Sequence, residues 1–305
     1  MLETFLDSKD TEDRQLIFLD ELPWMDTPRS GFIPAFENFW NGWACFHRNI
    51  MVIVCGSANS WILDNLINNR GGLYGRVTYE IRLEPFTMRE CELYFEQAGI
   101  HLSRYDIAQS YMAVGGIPYY LGYFRKELSL AQNLDVLFFS HKAKLRDEFD
   151  RLFESVFDRP ELMKAIVRKL HTKNAGFSRR DILDFLPIQE GETTSRCLNA
   201  LVASEFIVKY TPFGAKKNEF LYKLTDPFCL FYLKFVQDSD WSDKAYWTNH
   251  LSSQEVVSWR GLAFENICFS HIPQIKKRWE SPAYLLCSLP GRKIRTIPKG
   301  CRLTC

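Results

Sequence analysis

The stretch Leu16-Ile17-Phe18-Leu19-Asp20-Glu21-Leu22-Pro23-Trp24 most constrains how this chain can fold. Four apolar residues in a row, followed by two carboxylates, predict a short strand buried on both faces of a parallel sheet. Pro23 lacks the amide that smooth continuation needs. Asp20 and Glu21 therefore fall at the C-terminal edge of a buried strand, where open α/β sheets take their ligands. The plain alternative is an acidic surface turn after an ordinary strand. These residues by themselves leave both readings open.

A second apolar run, Ile50-Met51-Val52-Ile53-Val54-Cys55, ends in Gly56-Ser57-Ala58-Asn59-Ser60. Between the two runs, residues 34–47 carry Phe36, Phe39, Trp40, Trp43 and Phe46 near helical spacing, with Pro34 suited to a helix start. Those aromatics are expected to pack a helix on the sheet. Strand, helix and strand in series read as a βαβ unit with a right-handed crossover. Residues 61–69 form a short helix in this reading, 71–76 a glycine-rich loop, and Thr78–Leu83 a third strand. Thr87 and Glu90 make a capping box for a helix over 88–98, which Gly99 ends.

The character of the chain then changes. Residues 105–150 read as helical and include Gly115-Gly116-Ile117-Pro118-Tyr119-Tyr120-Leu121, with a charged connecting helix over 142–157. Residues 161–171, 178–185 and 193–204 read as helices, and 205–210 and 220–224 as strands. Three helices and a hairpin make a winged helix. Its third helix would open on Thr193, Thr194, Ser195 and Arg196, the usual position for reading DNA, with Lys216 and Lys217 at the wing tip. Over residues 160–235 there are 12 Lys and Arg against 8 Asp and Glu, a modest excess for a DNA binder. Packing against protein alone is the other use of such a module. Residues 259–271 read as a further helix. The final 25 residues show neither helical nor strand period and are rich in Cys, Pro, Gly and Arg.

Composition narrows the function classes. With 305 residues, two or three domains are expected. A net charge of +1 gives no whole-chain pull on nucleic acid or membrane. There is no basic-then-apolar leader and no run of about 18 apolar residues, so the expected location is cytoplasmic, with no membrane partner. None of the nine cysteines forms a C-x-x-C pair, which argues against zinc. Cys55 and Cys268 lie in apolar runs and are expected to be reduced core thiols.

The run Leu16–Glu21 also has the Walker B pattern. The order LIFLDELPW (16–24), VIVCGSANSWI (52–62), LYGR (73–76), IRLEPFT (81–87), GGIPYYL (115–121) and WRGLAFENI (259–267) resembles the prokaryotic AAA+-type ATPases often called archaeal ATPases, relatives of the signal-transducing NTPases. The resemblance implies an α/β fold: an incomplete P-loop NTPase parallel sheet, followed by a mainly α lid and a winged-helix domain. It implies a partial ATPase core over 1–104, a lid and connector over 105–158, the winged helix over 159–226, and a truncated nuclease-like region over 227–305. By the same resemblance Asp20 is the Mg²⁺-side acid and Glu21 the catalytic glutamate that orients or deprotonates water. Ser57 or Asn59 takes the sensor position, the alternative being a plain Gly-Ser turn. Arg76 neutralises transition-state charge, in its own chain or across a self-associated pair, or else is a solvated arginine. Pro118 packs near adenine, or else simply starts a helix. The implied ligands are ATP and Mg²⁺.

Two departures bear on this. No G-x-x-x-x-G-K-[ST] occurs in the 305 residues, and the 15 residues before Leu16 are too few to hold that loop and its strand. The tract 281–305 does not continue the nuclease-like pattern, of which Glu265 is a lone acid; a gene truncated with a shifted reading frame at its end would account for both that loss and the odd composition of the tract. The missing first strand is expected to leave sheet edges unpaired and the α/β half poorly stable. The functional expectation is a fragment of an AAA+-type ATPase that hydrolyses ATP only when a P-loop is present. The alternative is a winged-helix DNA-binding or interaction module without ATPase activity.

Overall fold

The computed structural model describes residues 2–7, 13–56, 59–68, 70–157, 159–186, 191–216, 219–239 and 243–279. The final tract 281–305 lies outside them. The chain divides into two units, Met1–Leu83 and Glu84–Cys305. No helix among the described residues is long and apolar enough to cross a membrane.

In the first unit, helix α1 (Leu2–Asp7) precedes strand β1 (Gln15–Leu19), the short helix α2 (Leu22–Met25), helix α3 (Phe32–Gly42), strand β2 (Ile50–Val54) and helix α4 (Asn59–Ile62). Strands β1 and β2 pair in parallel, with Gln15 opposite Ile50 and Leu19 opposite Val54. One face of this two-stranded sheet packs on α3. Ile17, Ile50 and Val52 meet Phe36, Phe39, Trp40 and Trp43 there. The rings along α3 also touch one another, with Phe39 and Trp43 centroids 5.7 Å apart.

The other face corrects the expectation of burial on both sides. Leu16 is 61% and Phe18 56% exposed, and Met51 is exposed beside them. A continuous apolar run shows that a strand can be covered twice; the covering layer must come from elsewhere in the fold. Phe46 is likewise exposed rather than packed, because α3 ends at Gly42 and a short 3₁₀ turn (Ala44–Phe46) carries its ring off the sheet. Thr78–Leu83 is not a strand. Tyr79, Ile81 and Leu83 are exposed, and no described strand lies beside them to take their backbone hydrogen bonds.

The second unit is helical around one large core. It begins with α5 (Met88–Gln97), whose Thr87–Glu90 capping box is formed as its residues predict. Then come α6 (Arg104–Val114), α7 (Pro118–Leu121), α8 (Leu130–Leu134) and α9 (Glu148–Val156). Helix α10 (Pro160–His171), strand β3 (Phe177–Ser178), α11 (Arg179–Phe185), α12 (Gly191–Ala203), β4 (Ile207–Tyr210) and β5 (Leu221–Leu224) follow. The three strands form an antiparallel sheet in the order β3-β5-β4. Helices α13 (Pro227–Phe231), α14 (Tyr246–His250), α15 (Gln254–Ser270) and α16 (Ile272–Trp279) complete the described chain.

Buried polar groups fix how these helices meet. The Asp135 carboxylate accepts from the Trp247 amide at 2.7 Å and from the Thr248 amide and hydroxyl, so it caps α14 from a distant element. His271 Nδ1 lies 2.9 Å from the Ile267 carbonyl, and Nε2 accepts from the Met88 amide at 3.2 Å. With Nδ1 donating and Nε2 accepting, the ring is neutral and satisfies an otherwise orphaned amide at the start of α5. Lys164 reaches Asp150 at 2.8 Å and Glu161 at 2.5 Å, tying α9 to α10.

Gly176 allows β3 to join the sheet. Its φ is +78°, and a Cβ there would lie 2.1 Å from the Tyr222 carbonyl oxygen. Gly214 has a similar φ of +79° but open space around it. Gly176→Ala is expected to cost about 3 kcal/mol and Gly214→Ala about 1 kcal/mol. Denaturant unfolding of the two variants checks this; equal costs would show that the close approach at Tyr222 contributes nothing.

Candidate functional site

The turn after β1 is built by the parallel pairing, which runs past both strand ends. The Cys55 amide donates to the Leu19 carbonyl at 3.0 Å, and the Leu22 amide donates to the Cys55 carbonyl at 2.8 Å. The chain must therefore turn within Asp20 and Glu21. Glu21 takes φ 48° and ψ 51°, the left-handed region, which costs a non-glycine residue about 1 kcal/mol. Its carbonyl accepts from the Trp24 amide at 2.9 Å and starts α2. The fully buried Leu22 anchors the far side of the turn. A backbone outlier held this firmly at a strand end is the kind of feature that accompanies functional sites.

Asp20 is exposed, and its Oδ1 accepts twice: from the Cys55 thiol at 2.6 Å and from the Glu21 amide at 3.1 Å. Oδ2 takes no hydrogen bond among the described residues. The carboxylate is thus aimed by one oxygen and open at the other. The hydrogen bond to Asp20 in turn pushes the Cys55 thiol above its ordinary pKa. Cys55 is half-buried, not the core thiol expected, because it ends β2 beside an exposed acid. Gly56 follows it. A Cβ there would fall 2.6 Å from Pro23 Cδ and 3.3 Å from Ile62 Cδ1, so the turns after the two strands pack with no room for a side chain.

The loop before residue 78 is tied to α3. The Gly72 amide donates to Glu37 Oε1 at 3.1 Å, and Asn41 Nδ2 donates to the Gly72 carbonyl at 2.9 Å. Leu73 is buried in one cluster with Leu22 and Leu66. The loop bearing Arg76 and the turn bearing Glu21 therefore share a buried foundation, while the Arg76 side chain is exposed.

The other expected residues are distributed as follows. Ser57 lies outside the described residues, and Asn59 is described only by its backbone, at the start of α4. Pro118 belongs to the second unit, at the first position of α7 behind Ile117. Among the described residues no three His, Cys, Asp or Glu side chains form a metal cage. A hard cation at Asp20 would draw most of its ligands from water and phosphate. That suits Mg²⁺, which is held by one or two carboxylates and keeps several waters.

The DNA-reading expectation for α12 is corrected in part. Thr194 is fully buried and Thr193 nearly so, and the Ser195 hydroxyl donates to the Gly191 carbonyl while Arg179 donates to it. Helix α12 turns this end toward the protein, leaving only Arg196 of the four exposed. Two of the twelve basic residues, Lys164 and Lys223, are buried and engaged. Lys216 is exposed, and Lys217 lies outside the described residues.

No family model matches the chain. An uncharacterized protein of Methanocaldococcus jannaschii is 24% identical over 227 residues, covering 73% of this chain and 49% of that protein. The chain thus spans about half the length of that curated relative. Among solved structures, a Walker-type ATPase of Pyrococcus abyssi is similar at a TM-score of 0.48 and 18% identity, over 73% of this chain and 63% of that one.

Cys55 is the site residue that reading the sequence missed as a partner of Asp20. The strands Gln15–Leu19 and Ile50–Val54 are each five residues long and pair in parallel with Leu19 opposite Val54, which brings the residues that follow them, Asp20 and Cys55, together. The contact can be tested through thiol reactivity. A raised pKa keeps the thiol protonated near neutral pH and slows alkylation. Asp20→Asn removes the charge, so alkylation of Cys55 by iodoacetamide at pH 8, resolved by peptide mass spectrometry, is expected to rise several-fold. An unchanged rate would show that the thiol does not sense Asp20.

Proposed function

We propose that the unit Met1–Leu83 is the acid-bearing side of a nucleoside-triphosphate site in an ATPase of the AAA+ type. One observation supports this above the others. Asp20 and Glu21 sit in a two-residue turn closed by the Leu22–Cys55 hydrogen bond, at the C-terminal end of a strand in a parallel pair. Asp20, aimed by Cys55 and open at Oδ2, would hold the Mg²⁺ water shell. The cation, when bound, supplies charge neutralisation to the phosphate oxygens. Glu21, presented by its left-handed backbone, would accept a hydrogen bond from the attacking water. Ser57 or Asn59 would contact the terminal phosphate from the end of β2. Arg76 would offset developing negative charge from its anchored loop, in this chain or a neighbouring copy.

These groups act on a phosphate that something else must hold. In P-loop enzymes the holder is a set of backbone amides at a helix N-terminus and a lysine. The 305 residues contain no such loop. Phosphoryl transfer is accelerated mostly by positioning and electrostatics, so its holder carries much of the effect. This chain by itself is therefore expected to hydrolyse Mg·ATP no faster than buffer. A chain extended upstream by a Gly-rich loop segment is expected to hydrolyse it, and Glu21→Gln to abolish that activity. Turnover by the 305-residue chain that Glu21→Gln removes would overturn the need for the loop. Activity of the extended chain that survives Glu21→Gln would overturn the role of Glu21.

A second reading assigns duplex DNA to the second unit. It is favoured by α10, α11 and α12 with the antiparallel sheet β3-β5-β4, read as a winged helix, and by Arg196 and Lys216 exposed on its third helix and hairpin loop. Replacing both with Ala is expected to reduce the salt slope of DNA binding by roughly two, one for each phosphate that is no longer neutralised. An unchanged slope would leave the module a protein-packing element.

A further inference from the structure

Residues 77–83 have the pattern of a strand and no sheet to join. Apolar and polar residues alternate throughout: Val77, Thr78, Tyr79, Glu80, Ile81, Arg82, Leu83. A period of two puts the four apolar side chains on one face of an extended chain and the three polar ones on the other. No helix, turn or bend interrupts the stretch. Tyr79 is 81%, Ile81 72% and Leu83 90% exposed, and Glu80 and Arg82 are exposed between them. No strand among the described residues pairs with the segment.

The segment is held at both ends. Upstream, Leu73 is buried with Leu22 and Leu66, and the Arg76 amide donates to the Leu73 carbonyl at 3.1 Å. Downstream, the Phe86 amide donates to the Gly116 carbonyl at 2.7 Å. That approach is close: a Cβ on Gly116 would lie 1.9 Å from the Phe86 carbonyl oxygen. Part of the cost of ordering a strand is therefore met before a partner arrives. An extended, apolar, exposed backbone is a template for another strand.

The charges select which strand fits. Two copies related by a two-fold axis pair antiparallel, and the position of the axis sets every cross-strand pair. With the axis at Ile81, Tyr79 faces Leu83 of the other copy, Ile81 faces itself, and Glu80 faces Arg82 twice. Apolar meets apolar and opposite charges meet. An axis at Glu80 or Arg82 sets like charges opposite each other, and an axis at Tyr79 sets Arg76 against Arg82. An axis at Leu83 brings Pro85, which has no amide, into the ladder. Axes nearer Val77 run into the turn at Gly75, whose φ is +67°. An axis between two residues faces polar side chains with apolar ones.

We propose that Val77–Leu83 is a docking strand for a second copy of this chain, which pairs antiparallel with the same segment about a two-fold axis at Ile81. The alternation sets the shared apolar face, and the order Glu80-Ile81-Arg82 sets the register. Strands this short cover less than the roughly 1,200 Å² of a stable complex, so the dimer is reversible.

Sedimentation equilibrium of the full 305-residue chain is expected to show monomer and dimer in exchange, with a dissociation constant of roughly 100 µM. Glu80→Arg alone and Arg82→Glu alone each set like charges opposite each other twice, and each is expected to weaken the dimer about tenfold. The two changes together restore opposite charges and are expected to restore the dimer. Both positions are exposed, and circular dichroism and the melting temperature confirm that each variant is folded.

Cross-linking reads the register independently. Residues that face each other across the pair lie about 4.5–5.5 Å apart at Cα, within reach of a disulfide. Ile81→Cys is therefore expected to link copy to copy under mild oxidation. Tyr79→Cys is not, because its own counterpart lies four residues along the ladder, about 13 Å away. Peptide mass spectrometry separates these links from any made by the native cysteines. If a charge variant fails to fold, the contrast between these two cysteine variants decides. A chain that stays monomeric up to about 0.5 mM would overturn the proposal. So would a dimer that the single charge reversals leave unchanged, a double exchange that does not restore it, or linking of Tyr79→Cys as readily as Ile81→Cys.

Discussion

The parallel pairing of β1 and β2 does not stop where the strands stop, and the first unit depends on that continuation. Leu19 and Leu22 both bond to the backbone of Cys55, one from each side of Asp20 and Glu21. Buried backbone groups must be satisfied, so the two acids have only two residues in which to reverse the chain. The left-handed Glu21, the inward Leu22 and the Pro23 ring against Gly56 all follow from that constraint. The carboxylate of Asp20 is then placed beside the Cys55 thiol by register. A slip of one residue would send every side chain of the strand to the opposite face, and the aromatics of α3 exclude it by accepting only one face.

The second unit is organised differently. Its core is a continuous set of aromatic contacts, from Phe149 and Tyr232 stacked at 5.0 Å to the edge-on group around Phe231 and Trp259. Such a core is dense and poorly directional. Direction comes from a few buried polar side chains, each matched to a partner far away in sequence: Asp135 to the start of α14, His271 to the start of α5, Lys164 across α9 and α10. Each satisfies orphan groups that only one arrangement brings within reach. Asn133 does the same locally, closing the loop from Arg125 to Ser129 with four hydrogen bonds. Lys223 is 1% exposed and held by Asn174, with Glu265 at 3.9 Å. Desolvation pushes its pKa down, and a positive charge so placed permits little movement between β5 and α15 without exposing an uncompensated group.

Much of this was legible in the chain because it is local. The apolar runs 16–19 and 50–55 specify strands, the aromatic spacing of 34–47 specifies a helix, and Thr87 with Glu90 specifies a helix start through atoms at most three residues apart. The position of Asp20 and Glu21 just past a strand followed from the same run. Tertiary structure alone decided what depends on a distant neighbour. Leu16, Phe18 and Met51 are exposed because hydrophobicity prepares a face for burial but does not supply its cover. Residues 78–83 have strand composition and no strand, because a strand exists only with a partner for its hydrogen bonds. Thr193 and Thr194 looked available to a ligand, and the packing of α12 buried them. The meeting of Cys55 with Asp20, 35 residues apart, needed the parallel register. Propensity and capping act over a few residues and can be read along the chain; coverage, pairing and the aim of a carboxylate depend on which surfaces meet, and they are settled only when the chain has folded.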